Sequence, residues 1–258
     1  MSVTEQSARS VEQFMDDPIN FFGESYTQMH SFGRDDLEEL QRQAMTIRFG
    51  QHRESIGMIR KLADRLGISE VNEFNDIVPL FLPHTAYKSY PAVLIDNKRF
   101  DLMTKWLDNL TSHDLSQIDA TGCTSIDQWI ELLDEQTPLE VITSSGTTGT
   151  ISIIPKDKFG AEQGMILWKI CLFQTFGTEP TDRELNPDVD VIWPNFASGK
   201  LGHLRIANMV KRGFTGGDES KFHALYPGAI DTDLMFLASK MRAAASRGEL
   251  DRLVIDPA

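Results

Sequence analysis

Leu139-Glu140-Val141-Ile142-Thr143-Ser144-Ser145-Gly146-Thr147-Thr148-Gly149-Thr150-Ile151-Ser152-Ile153-Ile154 decides how this chain is read. Apolar runs rich in branched residues stand at both ends, and each predicts a short β-strand. Between them lies a run made only of serine, threonine and glycine. Gly146 and Gly149 let the backbone take positive φ and approach a neighbour closely. Successive N–H groups in such a loop point inward and form an anion-binding nest. Hydroxyls at Thr143, Ser144, Ser145, Thr147 and Thr148 add donors without adding charge. The loop is therefore read as a phosphate cradle. Gly149 is followed by Thr150-Ile151 rather than Lys-Ser/Thr, so it is no Walker A loop. It is not a G-x-G-x-x-G dinucleotide turn either.

Downstream, strands and helices alternate. A helix is predicted over about 157–176, then a strand at Val189–Trp193, a Gly-containing turn and a helix from about Leu201 to Lys211. Asp231-Thr232-Asp233 caps a helix carrying Leu234, Leu237, Ala238 and Met241, which stops at Gly248. Leu253-Val254-Ile255 reads as the start of another strand. Upstream, Asp35-Asp36 opens a helix that breaks at Gly50, and a second helix runs to Gly67. Pro79, Pro83 and Pro91 predict extended chain and turns. A helix follows near Arg99–Leu110, and Ser125-x-x-Gln128 is a capping box ahead of Trp129, Leu132 and Leu133. Phe14, Phe21, Phe22 and Tyr26 are expected to pack an N-terminal arm onto the body. The expected fold class is α/β: a mainly helical N-terminal region, 1–115, and an α/β nucleotide-binding part, 116–258, both belonging to one large domain.

Bulk properties narrow the function. The chain has 258 residues and a formal net charge of −13, which repels nucleic acid at long range but leaves room for a locally held nucleotide. No segment reaches the ~20 apolar residues of a membrane span, and Met1–Ser10 lacks the apolar core of a signal peptide. Cys123 and Cys171 stand far apart, which suits a reducing cytosol, so a cytoplasmic location is expected. The six histidines show no metal-ligand spacing, and no protein-built metal site is expected. Ser144 and Ser145 lack the G-x-S-x-G elbow of an acyl nucleophile. Asp188, Asp190, Asp231 and Asp233 read as turn and cap residues, and Gly213–Asp218 as a plain turn. No catalytic residue is assigned.

Ser144-Ser145-Gly146-Thr147-Thr148-Gly149 resembles the phosphate-binding signature of the adenylate-forming (AMP-binding) synthetase superfamily. The layout is nearest the phenylacetate–CoA ligase and acyl-protein synthetase branch. The resemblance implies that the loop holds the β- and γ-phosphates of ATP, with Mg²⁺, while a small-molecule carboxylic acid attacks the α-phosphate. The acyl-adenylate would then pass its acyl group to CoA, a carrier protein or another thiol. Val191–Phe196 followed by a helix resembles the family's acyl-pocket unit, which implies substrate contacts from Asn195 and Phe196 at the C-terminal end of a strand. The family's lysine follows its last glycine closely. Here Pro155-Lys156 comes later, and Lys156 is read either as reaching the phosphates or as capping the next helix through solvent. The family's Tyr-Gly-x-Thr/Ser-Glu segment, ribose aspartate and late lysine have no counterpart in 160–258. The α/β domain is accordingly expected to be incomplete, and this chain alone to bind ATP weakly and turn nothing over. The alternative is a non-catalytic remnant, or a half-enzyme, that binds nucleotide or a partner chain.

Overall fold

The computed structural model describes residues 11–23, 25–146, 149–173, 179 and 181–250. The chain is mixed α/β and forms two compact units, residues 1–81 with 159–187 and residues 82–158 with 188–258. The expected division at residue 115 is thus drawn elsewhere: 82–115 belongs with the α/β part, and 159–187 with the N-terminal helices. Apolar packing sets that boundary. Tyr90, Phe100, Met103 and Leu107 share one core with Trp129, Val141, Ile151 and Ile153.

The first unit contains α1 (Val11–Asp16), α2 (Pro18–Phe21), α3 (Tyr26–Ser31), α4 (Arg34–Ser55), α5 (Gly57–Leu66) and α6 (Phe74–Ile77). Phe14, Phe21, Phe22 and Phe32 cluster with ring centroids 5.0–6.1 Å apart; Phe21 and Phe32 are tilted, and the other four pairs meet edge-on, which aligns a ring's positive edge with its neighbour's face. The predicted break at Gly50 does not occur. Gly50 lies inside α4, and the chain turns at Ile56 (φ −97, ψ 106). Ala44 and Phe49 are buried along that helix, and their packing overrides the small helix penalty of one glycine. Gly67 ends α5 in the left-handed conformation, as expected.

The second unit begins with α7 (Ala92–Asp96), α8 (Phe100–Asp108) and α9 (Ile126–Gln136). Ser125 caps α9 by accepting the Gln128 N–H, but Gln128 turns its side chain to Thr124 rather than to Ser125, so half of the capping box forms. Trp129 is fully buried, stacked on Phe100, and its indole N–H donates to Thr104 at 2.9 Å.

Then come β1 (Leu139–Thr143) and β2 (Ile153–Asp157), an antiparallel hairpin in which Thr143 faces Ile153 and Glu140 faces Lys156. Pro155 is tolerated in β2 because it faces Val141 where no ladder bond is needed. Val141 instead receives a bond from Arg205 on its C=O and donates its N–H to Asp134. The chain then passes through α10 (Lys158–Phe173) and the short α11 (Asp182–Leu185), both in the first unit but for Lys158, and returns to the second with a parallel β–α–β unit: β3 (Val191–Gly199), α12 (Gly202–Phe214) and β4 (Phe222–Ile230). The last described helix is α13 (Thr232–Ser246). The strand expected at Leu253–Ile255 lies outside the described residues. The end of β1 reaches the end of β3: the Thr143 N–H donates to the Lys200 C=O at 2.8 Å. No described helix is long and apolar enough to cross a membrane.

Candidate functional site

The Ser/Thr/Gly loop closes the β1–β2 hairpin. Ser144 anchors its base twice: its N–H donates to the Ser152 C=O at 3.1 Å, and its Oγ accepts the Ser152 N–H at 2.7 Å. The Ser144 hydroxyl therefore extends the ladder on its acceptor side. Gly146 (φ +63) and Gly149 (φ +93) both take positive φ, and the Gly149 N–H donates to the Gly146 C=O at 2.9 Å. Gly146 is buried, yet neither its N–H nor the N–H and hydroxyl of Ser145 has a partner among the described residues. Buried N–H groups are almost always paired, which makes the Gly146 N–H unusual; Ser145 is half-buried. Thr143 is 3% exposed, and its Oγ1 is enclosed with no partner among the described residues. Thr147 and Thr148 lie outside the described residues.

What approaches the glycines is α13. A Cβ on Gly146 would stand 2.7 Å from the Ser239 Cβ and 2.8 Å from the Ile151 Cγ2. A Cβ on Gly149 would stand 2.9 Å from the Ala243 Cβ. Close packing thus requires both glycines before any ligand is considered. Beside these small residues, the exposed Arg242 donates through Nη2 to the Ser145 C=O at 2.9 Å. It forms no ion pair among the described residues, so most of its donors stay available beside the loop. Sequence reasoning did not find Arg242. It lies 97 residues from Ser145, and only the fold brings the two together.

The root of the loop rests on a charged cluster that was equally illegible. Arg205, 8% exposed, donates to the Val141 C=O at 2.7 Å and to Asp134 at 2.6 Å, and Lys200 pairs with Glu131 at 3.3 Å. Arg205 thus links β1, α9 and α12. On the far side of the hairpin loop, Tyr90 donates its hydroxyl to the Ile151 C=O at 2.9 Å, and burial raises its pKa.

The other expected residues fall elsewhere. Lys156 is exposed on β2 opposite Glu140, three residues beyond the Ile153 that begins that strand at the loop. Asn195 and Phe196 do not end a strand. β3 continues to Gly199, so both sit in its interior, where the Asn195 side chain accepts the Phe196 N–H and the Phe196 ring lies 4.9 Å from that of Tyr226. The strand outruns its prediction because Pro194 is accommodated in an irregular register, shifted between Trp193 and Phe196 and again between Phe196 and Ser198.

Asp231 does cap α13, accepting the Leu234 N–H, while Asp127 and Asp233 exchange N–H partners across two helix starts. Ligand atoms of these three carboxylates lie within 4.8 Å of one another, and the two helix N-termini they satisfy account for the grouping. The plain turn expected over Gly213–Asp218 is shorter: Gly213 and Phe214 still belong to α12, and the turn runs over Thr215–Asp218, with the Asp218 N–H donating to the Thr215 C=O. A cleft of about 710 Å³ lies in the first unit between Phe49, Arg53, Arg60 and Asp64. Its arginines are committed to Asp64 and to backbone carbonyls, which leaves the loop as the better candidate site. Comparison of the chain with protein-family models, curated proteins and solved structures finds no match.

Proposed function

We propose that the Ser144–Gly149 loop holds the polyphosphate of ATP in an enzyme that activates a carboxylic acid as its acyl-adenylate. The observation carrying this reading is the pair of unpartnered N–H groups at Ser145 and Gly146, set in a loop of positive-φ glycines at the end of a hairpin. Donors of that kind, fixed before the substrate arrives, stabilise developing phosphate charge without reorganising. In the reaction a carboxylate oxygen bonds to the α-phosphorus, the α–β phosphoanhydride bond breaks, and pyrophosphate leaves. Attack by a thiol of CoA or a carrier protein on the acyl carbonyl then expels AMP. Mg²⁺ would arrive with the phosphates and neutralise part of their charge. The native gene product, given ATP, Mg²⁺ and a broad panel of carboxylic acids, should exchange labelled pyrophosphate into ATP with at least one acid. Exchange with none of them refutes the reading.

A second reading is favoured by the packing of α13, which gives Gly146 and Gly149 a reason to be glycine without any reaction. In that case the chain binds nucleotide, or a partner chain, without turnover. Saturable ATP binding with no exchange on any acid would select it.

A further inference from the structure

Resting on the reading of this loop as a phosphate site, we propose that Arg242 is the cation that holds the bound polyphosphate. A loop made of N–H and hydroxyl donors supplies no charge, and in a chain of net charge −13 a cation at the loop offsets part of the long-range repulsion of an anion. Lys156, the nearest basic residue in sequence, points to no such role by its place: it stands on the β2 ladder opposite Glu140, away from the loop end of the hairpin. Arg242 stands at the loop itself. Its Nη2 donates to the Ser145 C=O at 2.9 Å, and the Ser145 N–H and hydroxyl have no partner among the described residues. The single bond orients the planar guanidinium and leaves its remaining donors for phosphoryl oxygens, which a guanidinium binds in pairs. Placement on α13 is also rigid. Ser239 and Ala243, on either side of Arg242 in that helix, are the residues that meet Gly146 and Gly149, so loop and arginine are fixed relative to each other by direct packing.

The test uses inorganic tripolyphosphate as probe, with titration calorimetry on the whole chain at several salt concentrations. Wild type should bind saturably. Arg242→Gln keeps a neutral donor for the Ser145 carbonyl but removes the charge. It should weaken binding about 10- to 100-fold, the size of one charge-assisted hydrogen bond. It should also make the affinity less sensitive to salt, because one screened charge–charge attraction is gone. Arg242→Lys should recover part of the affinity, and Lys156→Ala should bind like wild type. If Arg242→Gln binds as tightly as wild type with the same salt slope, the assignment of Arg242 is wrong while the loop reading stands. If Lys156→Ala alone abolishes binding, the lysine is the cation and the proposal is overturned. If wild type does not bind tripolyphosphate at all, the loop reading fails and this proposal fails with it. A melting curve on each variant separates loss of charge from loss of fold, because a purely structural role would lower the midpoint without changing the salt slope.

Discussion

Gly146→Ala probes how tightly the loop is fixed. Two independent effects contribute. At φ +63 an alanine sits in the left-handed region, which costs roughly 1–2 kcal/mol for an L-residue. The new Cβ would also stand 2.7 Å from the Ser239 Cβ, 2.8 Å from the Ile151 Cγ2 and 3.4 Å from the Ile151 N. Neither close neighbour is the free end of a long side chain, since Ser239 is fully buried in α13 and Ile151 fully buried in the core. Relieving the contact means moving the helix or the loop, an overpacking cost of about 1–3 kcal/mol. The sum is about 2–5 kcal/mol, a large part of the ~5–15 kcal/mol that holds a domain together. With a urea m-value near ~2 kcal/mol/M, the midpoint should fall by roughly 1–2.5 M. Tryptophan fluorescence reads the transition, because Trp129 lies fully buried in the core that contains Ile151. Gly122→Ala is the control: nothing lies within 4 Å of its Cβ and its φ is not positive, so it should change stability by less than ~0.5 kcal/mol. If Gly146→Ala also falls within ~0.5 kcal/mol of wild type, α13 does not pack on the loop as described and the argument built on that contact is lost.

Arg205→Leu should destabilise the second unit by about 1–3 kcal/mol, because the half-buried Asp134 loses its nearest cation and keeps only the Val141 N–H and Lys200 at 3.7 Å, while the Val141 C=O loses its donor; a urea midpoint equal to wild type would contradict this. Asp233→Asn should change the pH dependence of stability. Burial pushes the Asp233 carboxyl above its ordinary value of 3.8; the Ile126 and Asp127 N–H groups oppose that shift, and the charges of Asp231 and Asp127 add to it. The folded state therefore keeps this proton where the unfolded chain has lost it. Asp233's contribution is most favourable below 3.8 and declines as pH rises through the raised folded-state pKa. Wild-type stability measured against Asp233→Asn in urea should thus fall as pH rises from below 3.8, and a difference independent of pH would show that the group is not buried as described.

How far the sequence revealed this molecule depended on the range of the interactions involved. The hairpin was legible because apolar runs flank a loop of Ser, Thr and Gly, and strand propensity acts locally. Helix starts at Ser125 and Asp231 were legible for the same reason: each cap binds an N–H three residues on. Gly50 misled because a lone exposed glycine is a weak breaker once Ala44 and Phe49 bury their faces. Pro194 hid the length of β3, and β4 was not predicted at all, since Pro227-Gly228 argue locally against a ladder that the fold builds around them. At the candidate site the loop could be read and its surroundings could not. Arg242, Arg205 and Tyr90 reach it from 97, 64 and 61 residues away, distances over which no spacing rule operates.

The packing explanation of the glycines and the phosphate explanation of the loop do not compete, and α13 shows why. Its first turn is fixed to α9 by a reciprocal exchange: Asp127 accepts the Thr232 N–H at 3.0 Å, and Asp233 accepts the Ile126 N–H at 2.9 Å. Ser239 follows Thr232 by seven residues, about two turns or ~10 Å along a rigid helix, and Ala243 lies one turn further. The position set at the helix start is therefore carried to Gly146 and then to Gly149. A flexible Ser/Gly loop would have to order its N–H groups around each incoming anion, at a cost of about 1–2 kcal/mol per residue in backbone entropy. Gly146 and Gly149, pressed against a fixed helix, have met that cost in folding, and the Ser145 and Gly146 N–H groups have no partner among the described residues. Glycine at both positions is what allows the helix close enough to do this, and the same approach brings Arg242 to the Ser145 carbonyl.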